Sequence, residues 1–163
     1  MKTTQTATGT ASLTNSAVAA IIKATIIAGV LDASAGVVVY WIFKGLNPLQ
    51  VLQYMASGIF GPSVINGSFI YVGAGLVLHF IIAFAFTYAY YLGFPLIKAF
   101  AKNTYVNGLV YGAFIWVFMN YLVLPFSSIP HSPKDIVSVL ELVWHSALVG
   151  LPIALVVEKQ LKD

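Results

Sequence analysis

Among the polar side chains inside the long apolar stretches of this chain, five could do chemistry: Asp32, His79, Asn120, Glu141 and His145. A charge in the middle of a lipid-facing helix costs roughly 2.5 to 3.5 kcal/mol on insertion scales, so we expect these groups to face one another or a cavity. Carboxylates and imidazoles relay protons and hold cations, and a histidine changes charge near physiological pH. The five residues are therefore the candidate functional site.

Helical spacing places these polar groups on faces made of small residues. Gly29, Asp32 and Gly36 fall at i, i+3 and i+7, so they share one face of a helix. Glu141 and His145 share a face in the same way because they are four residues apart. We expect such faces to form the interior of a helical bundle.

The rise of 1.5 Å per helical residue gives the depth of each polar group. Measured from the predicted outer ends, Asp32 and His79 lie roughly 16 Å deep and His145 roughly 14 Å deep. Glu141 and Asn120 lie roughly 8 to 9 Å deep. The sequence thus predicts a central group of Asp32, His79 and His145, and an outer pair of Asn120 and Glu141.

Three interpretations of these tiers remain open. The polar groups form a structural hydrogen-bond network that fixes the register of the helices. Alternatively, they line a pathway for a proton, ion or small solute that enters through Glu141 and Asn120. In the third interpretation His79 and His145 are axial ligands of a haem b, or bind a metal ion together with Asp32 or Glu141. The Glu-x-x-His repeat of di-metal bundles is absent.

Composition defines the class of protein that carries this site. Of 163 residues, 60% are hydrophobic and 8% are charged, whereas a soluble domain has about a quarter charged residues. The absence of cysteine excludes disulfides and thiolate chemistry. A net charge of +3, spread along the chain, does not form the clustered basic face that nucleic acid requires. We expect no nucleic-acid partner and no enzyme motif.

Four apolar stretches are long enough to cross a hydrocarbon core of about 30 Å. They cover residues 17–43, 68–96, 105–126 and 136–157. Residues 49–57 form a shorter helix, either interfacial or re-entrant, and residues 1–16 form a flexible polar tail. The predicted fold class is all-α, an integral membrane four-helix bundle forming a single domain.

The distribution of lysine predicts the orientation. Four crossings leave six lysines on the side of both termini, Lys2, Lys23, Lys98, Lys102, Lys159 and Lys162, and two on the other side, Lys44 and Lys134. By the positive-inside rule both termini are cytoplasmic. Asp135 and Glu158 are expected at span ends, Asp135 as a helix cap. Aromatic residues near the ends fit interfacial belts, among them Tyr40, Tyr88, Tyr90, Tyr91, Tyr105 and Tyr121.

Several segments resemble a family of small bacterial inner-membrane proteins of uncharacterised function. The resembling segments are GVLDASA at 29–35, LQYMASG at 52–58, GLVLHF at 75–80 and MNYLVLPFS at 119–127. The resemblance covers about residues 29–130 and implies a four-helix protein of the inner membrane. It carries over no catalytic residue, and Glu141 and His145 lie outside it.

The functional expectation follows from the polar groups. We expect the polar centre to bind a proton, ion or small ligand in membrane transport or sensing. One alternative is an accessory or assembly subunit of a larger membrane complex, with a purely structural network. A further alternative is a bis-histidine haem b electron-transfer protein. The expected partners are the lipid bilayer and either a second copy of the chain or a larger complex.

Overall fold

The computed structural model describes residues 15–100, 102–129 and 134–162, and all of its regular elements are helical. The α-helices are α1 (Asn15–Lys44), α2 (Pro48–Phe60), α3 (Ile70–Phe100), α4 (Thr104–Phe118), α5 (Ile136–Trp144) and α6 (Leu151–Lys162). Two π-helical segments, Met119–Val123 and His145–Gly150, continue α4 and join α5 to α6. Short 3-10 turns lie at Pro62–Val64 and Leu124–Phe126.

The predicted all-helical class is confirmed. Four helical segments are long and apolar enough to cross a membrane: Asn15–Lys44, Ile70–Ala99, Thr104–Phe126 and Ile136–Leu161. The second segment continues beyond its predicted end at residue 96, because Pro95 removes only one backbone hydrogen bond and the helix carries on to Phe100. Residues 1–14 of the predicted tail lie outside the described residues, while Asn15 and Ser16 are already helical.

The predicted short helix after α1 is confirmed and slightly longer. Asn47 caps α2 by accepting hydrogen bonds from the backbone of Leu49 and Gln50, and the Gln50 side chain accepts one from the backbone of Asn47. Helix α2 lies against α3, where a side chain at Gly75 would overlap the backbone of Leu52. It therefore forms a wall of the bundle.

Helices that are consecutive in the sequence are not always the closest neighbours in the structure. Helix α1 packs against α3 and α6, whereas α4 packs against α6 and the second π-helical segment. Helices α3 and α4 meet through side chains: the Tyr90 and Tyr111 rings lie 4.8 Å apart, and Tyr111 donates a hydrogen bond to the carbonyl oxygen of Phe86. The crossing of α4 with the second π-helical segment is a backbone contact, because Gly108 and Gly112 lie against Gly150. This contact sets the position of His145, whose carbonyl group abuts Gly112.

Many large apolar side chains lie on the surface of the described helices. Large apolar residues face outward on each long segment, for example Ile26, Val77, Val110 and Val143, which are 50–65% exposed. The buried set includes polar and charged residues: Thr25, Gln53, Ser57, His79, Thr87, Asn107 and Glu158. Exposed large apolar side chains, together with polar groups buried in a mainly apolar core, are typical of helices that face lipid.

Candidate functional site

Asp32 of α1 lies between His79 and His145. One carboxylate oxygen, Oδ2, is 4.0 Å from His79 Nδ1 on α3, and the other, Oδ1, is 3.8 Å from His145 Nε2. Trp144 Nε1 donates a hydrogen bond of 2.8 Å to the same Oδ1. The structure thus brings together the three residues of the predicted central group and adds an indole donor.

Each histidine uses its remaining ring nitrogen on a backbone carbonyl. His79 Nε2 is 2.8 Å from the carbonyl oxygen of Gly29, and His145 Nδ1 is 2.7 Å from that of Glu141. Because a carbonyl oxygen only accepts, each of these nitrogens carries a proton, and the other nitrogen of each ring faces Asp32. Three ionisable side chains, a carboxyl group and two imidazoles, therefore converge beside one indole donor.

This arrangement does not fit a bis-histidine haem. An axial histidine binds iron through a free ring nitrogen, with the iron between the two rings. Here Nε2 of His79 is hydrogen-bonded to the carbonyl oxygen of Gly29. The other ring nitrogen of His79 and Nε2 of His145 both face the carboxyl group of Asp32. Nor does the described part of the chain contain a group of three or more His, Asp or Glu that could hold a metal ion.

Glu141 is held by aromatic donors rather than by Asn120. Tyr40 Oη donates a hydrogen bond of 2.6 Å to Glu141 Oε1, and Trp116 Nε1 donates one of 3.3 Å to Oε2. Asn120 donates instead to the carbonyl oxygen of Trp116, 3.0 Å away, and accepts from Lys134. Asn120 and Glu141, predicted at similar depth, are therefore linked through Trp116, which each of them contacts.

Two of the site residues lie in π-helical turns. Asn120 belongs to the segment Met119–Val123, and His145 begins the segment His145–Gly150. Pro125 and Pro152 lie two residues beyond these segments, and a proline inside a helix removes the backbone hydrogen bond to the residue four positions earlier. Such turns occur frequently at functional sites. Pro125 and Pro152 are the sequence features from which these π-helical turns could have been predicted.

All five predicted polar residues line one cavity of about 310 Å³, which we call the central cavity. Helices α1 to α5 all contribute to its walls, which are largely apolar and include Ile82, Phe86, Ile115, Met119 and Val149. A second cavity of about 260 Å³, the vestibule, lies at the end of the bundle that holds Lys44 and Asp135. Both cavities are lined by Tyr40, Tyr54, Asn120, Leu124, Ile129 and Glu141. The hydrogen bond between Tyr40 and Glu141 therefore stands where the cavities meet.

The two lysines that line the vestibule contact other side chains of the protein. Lys44 forms an ion pair with Asp135, and the hydrogen bond from Lys44 holds the pKa of Asp135 below its usual range. Asp135 also caps α5 as predicted, accepting from the backbone of Val137 and Ser138. The Lys134 ammonium lies 5.3 Å from the ring centre of Trp116 and 5.5 Å from that of Tyr121.

A second buried carboxylate, Glu158, lies toward the opposite end of the bundle. It is 2% exposed, and it accepts hydrogen bonds from Tyr90 (2.7 Å), Thr104 (2.6 Å) and Asn107 (2.9 Å). Glu158 lies near the end of the fourth apolar segment, and its side chain is turned into the bundle, because its side of α6 packs against α3 and α4. Tyr90 is fully buried, so it does not belong to an interfacial belt.

No protein-family model, curated protein or solved structure matches this chain. The resemblance over residues 29–130 rests on the sequence segments alone. The function is accordingly argued from the geometry of the central cavity.

Proposed function

We propose that this chain is an integral membrane protein whose central cavity takes up a proton, an ion or a small ligand for transport or sensing. The apolar exterior supports membrane insertion, since exposed residues such as Val77 and Val143 belong in lipid rather than in water. Four segments of sufficient length and hydropathy support four crossings.

The proposed orientation places both termini in the cytoplasm of a bacterial inner membrane. It is supported by the six lysines on the side of the termini against Lys44 and Lys134 on the other. The vestibule then opens outward, and a solute arriving from outside meets Lys134 and Glu141 before it reaches Asp32. A reporter enzyme fused after Asp163 reads as cytoplasmic if this orientation is right, and a periplasmic signal overturns it.

The observation that carries the proposal is the convergence of three ionisable side chains, Asp32, His79 and His145, within the central cavity. The carboxyl oxygens of Asp32 lie 3.8 and 4.0 Å from the two histidine nitrogens, with a single indole hydrogen bond among them. A purely structural network pairs its groups by direct hydrogen bonds. Distances of 3.8 and 4.0 Å are longer than hydrogen bonds, so a proton, a cation or a ligand N–H group can bind between these side chains.

The test measures uptake by the full-length protein in liposomes with a pH-sensitive dye inside. Under an imposed membrane potential we expect proton entry in the wild type and its loss in Asp32→Asn, which keeps the shape of the side chain but removes the charge. Glu158→Gln is the matched control, because it removes a buried carboxylate outside both cavities. The proton version fails if Asp32→Asn conducts like the wild type.

The rival proposal is an accessory subunit with a structural polar network. Its support is that Asp32 and Glu141 each accept hydrogen bonds from the protein's own aromatic side chains. This role predicts that the protein co-purifies with a larger membrane complex in mild detergent, and that Asp32→Asn impairs assembly of that complex. A solitary, detergent-stable protein that binds ligand counts against it.

A further inference from the structure

We infer that the ligand of the central cavity is an organic cation: an amine or ammonium group carried on an apolar body. The inference rests on the proposed function, namely that the cavity binds a small ligand, and it names the chemical class of that ligand. Three features of the described residues carry it: the charge of the cavity, its aromatic faces and the way the vestibule already holds an ammonium group.

The charged groups of the cavity lining have one sign. Among the described residues that line it, Asp32 and Glu141 are acidic, and none is a lysine. The facing nitrogens of His79 and His145 add two acceptors when the rings are neutral. An ammonium group donates several hydrogen bonds and carries the opposite charge, so it complements this lining, whereas a carboxylate or phosphate ligand would be repelled.

Aromatic faces accompany the acceptors. Tyr40 and Tyr54 lie 5.7 Å apart, centre to centre, and Tyr40 contacts Glu141. Trp144 lies beside Asp32 and forms part of the same lining. The negative face of an aromatic ring attracts cations within about 6 Å, and combinations of aromatic rings with carboxylates are a recurrent means of recognising ammonium groups.

The vestibule shows this chemistry with the protein's own cation. The Lys134 ammonium lies over Trp116 and Tyr121 and donates to the amide oxygen of Asn120. Asn120 also lines the central cavity, so the same amide borders both chambers. A ligand ammonium that displaces Lys134 would meet Asn120 and Glu141 first, and Asp32 deeper in the bundle.

The apolar walls favour an organic cation over a bare inorganic ion as the ligand. Ile82, Phe86, Ile115, Met119 and Val149 surround most of the cavity, and an inorganic ion would leave these side chains without a partner. An aryl or alkyl group attached to the amine would fill that space and displace water from it. The cavity therefore selects for a lipophilic amine.

The experiment compares three molecules of similar shape, of which one is positively charged, one is neutral and one is negatively charged. Full-length protein in phosphatidylcholine nanodiscs, which carry no net charge to concentrate cations, is titrated at pH 7 with 2-phenylethylamine, 2-phenylethanol and phenylacetate. Binding is read by calorimetry against empty nanodiscs. We expect the amine to bind about tenfold or more tightly than the alcohol, because it adds a charge-assisted contact, and phenylacetate to bind least.

Variants then locate the site. Asp32→Asn is expected to weaken amine binding about tenfold while leaving the weak binding of the alcohol unchanged. Glu158→Gln removes a carboxylate of equal charge outside the cavity and is expected to bind the amine like the wild type. The comparison of the three molecules on the wild type stands even if Asp32→Asn fails to fold.

The outcomes distinguish this inference from the proposed function. Equal binding of amine and alcohol overturns the cationic class and leaves a ligand-binding cavity. No binding of any compound, together with Asp32-dependent proton uptake in liposomes, also overturns the inference and retains the proton version of the proposal. Failure of both assays overturns both. Amine binding that Asp32→Asn leaves unchanged in a folded variant places the ligand elsewhere and overturns the assignment.

Discussion

The phenol of Tyr40 and the carboxylate of Glu141 are joined by a hydrogen bond of 2.6 Å, although the two residues are 101 positions apart in the chain. The bond links the C-terminal part of α1 to α5 at the junction of the vestibule and the central cavity. Glu141 accepts this bond through Oε1, and its other oxygen, Oε2, accepts the longer bond from Trp116. Tyr40 therefore links two helices and also lies where the vestibule meets the central cavity.

Tyr40→Phe is expected to destabilise the protein by about 1.5 to 3 kcal/mol, the usual value of a hydrogen bond to a charged group. The ring is retained, so packing changes little. Tyr105→Phe is the matched control, since Tyr105 is 61% exposed. Unfolding in detergent with increasing denaturant measures both variants. Equal stability of Tyr40→Phe and the wild type would show that this bond contributes nothing to folding.

Gly112→Ala is expected to be strongly destabilising, at the upper end of the roughly 1 to 3 kcal/mol typical of overpacking. Its Cβ would overlap the backbone of His145 and Ser146, which cannot rotate away as a side chain would. Gly73→Ala is the control, because an added Cβ there meets nothing within 4 Å. The midpoint of thermal unfolding compares them. A Gly112→Ala protein as stable as Gly73→Ala would contradict the close crossing of α4 with the second π-helical segment.

Glu158→Ala is expected to cost roughly 2 to 4 kcal/mol of stability, because it leaves buried donors without their acceptor. Those donors are Tyr90, Thr104 and Asn107, which tie α3 and α4 to α6. Lys159→Ala, at an exposed neighbouring position, is expected to have little effect. Amide hydrogen exchange should show faster opening of this end of the bundle in Glu158→Ala. Unchanged exchange would indicate that the cluster does not hold the helices together.

The ion pair of Lys44 and Asp135 predicts how stability depends on acid. The pKa of Asp135 is lowered by the hydrogen bond from Lys44, so the folded protein holds this proton less tightly than the unfolded chain does. The contribution is therefore complete above the unfolded pKa of about 3.9 and is lost as the pH falls through the lowered value.

Asp135→Asn tests this dependence, because asparagine keeps the helix cap and removes the charge. The thermal midpoint of the variant should lie below that of the wild type at pH 7, and the difference should shrink as the pH approaches 3. A difference that stays constant over this range would mean that the charge of Asp135 is not responsible.

The interior partners were only partly predictable from the sequence. Asp32, His79 and His145 could be grouped because a charged residue at mid-span has a strong energetic reason to face inward. Tyr40, Trp116 and Trp144 could not be assigned to the site. An aromatic residue with a polar tip is as well placed at the lipid interface as inside a bundle, and only the rotation of its helix decides between them. The burial of Glu158 could not be predicted for the same reason, since a residue in the last turns of a helix can face either water or the core.

Sequence alone determined the helical class and the four apolar segments, because length, hydropathy and the helical rise are local properties. The tertiary structure decided which helices are neighbours, and with that the partners of each polar group. It placed Glu141 with Tyr40 instead of Asn120, and it introduced the π-helical turns at Asn120 and His145. These contacts depend on the rotation and crossing of whole helices, which are set by glycine-mediated backbone packing between segments far apart in the chain.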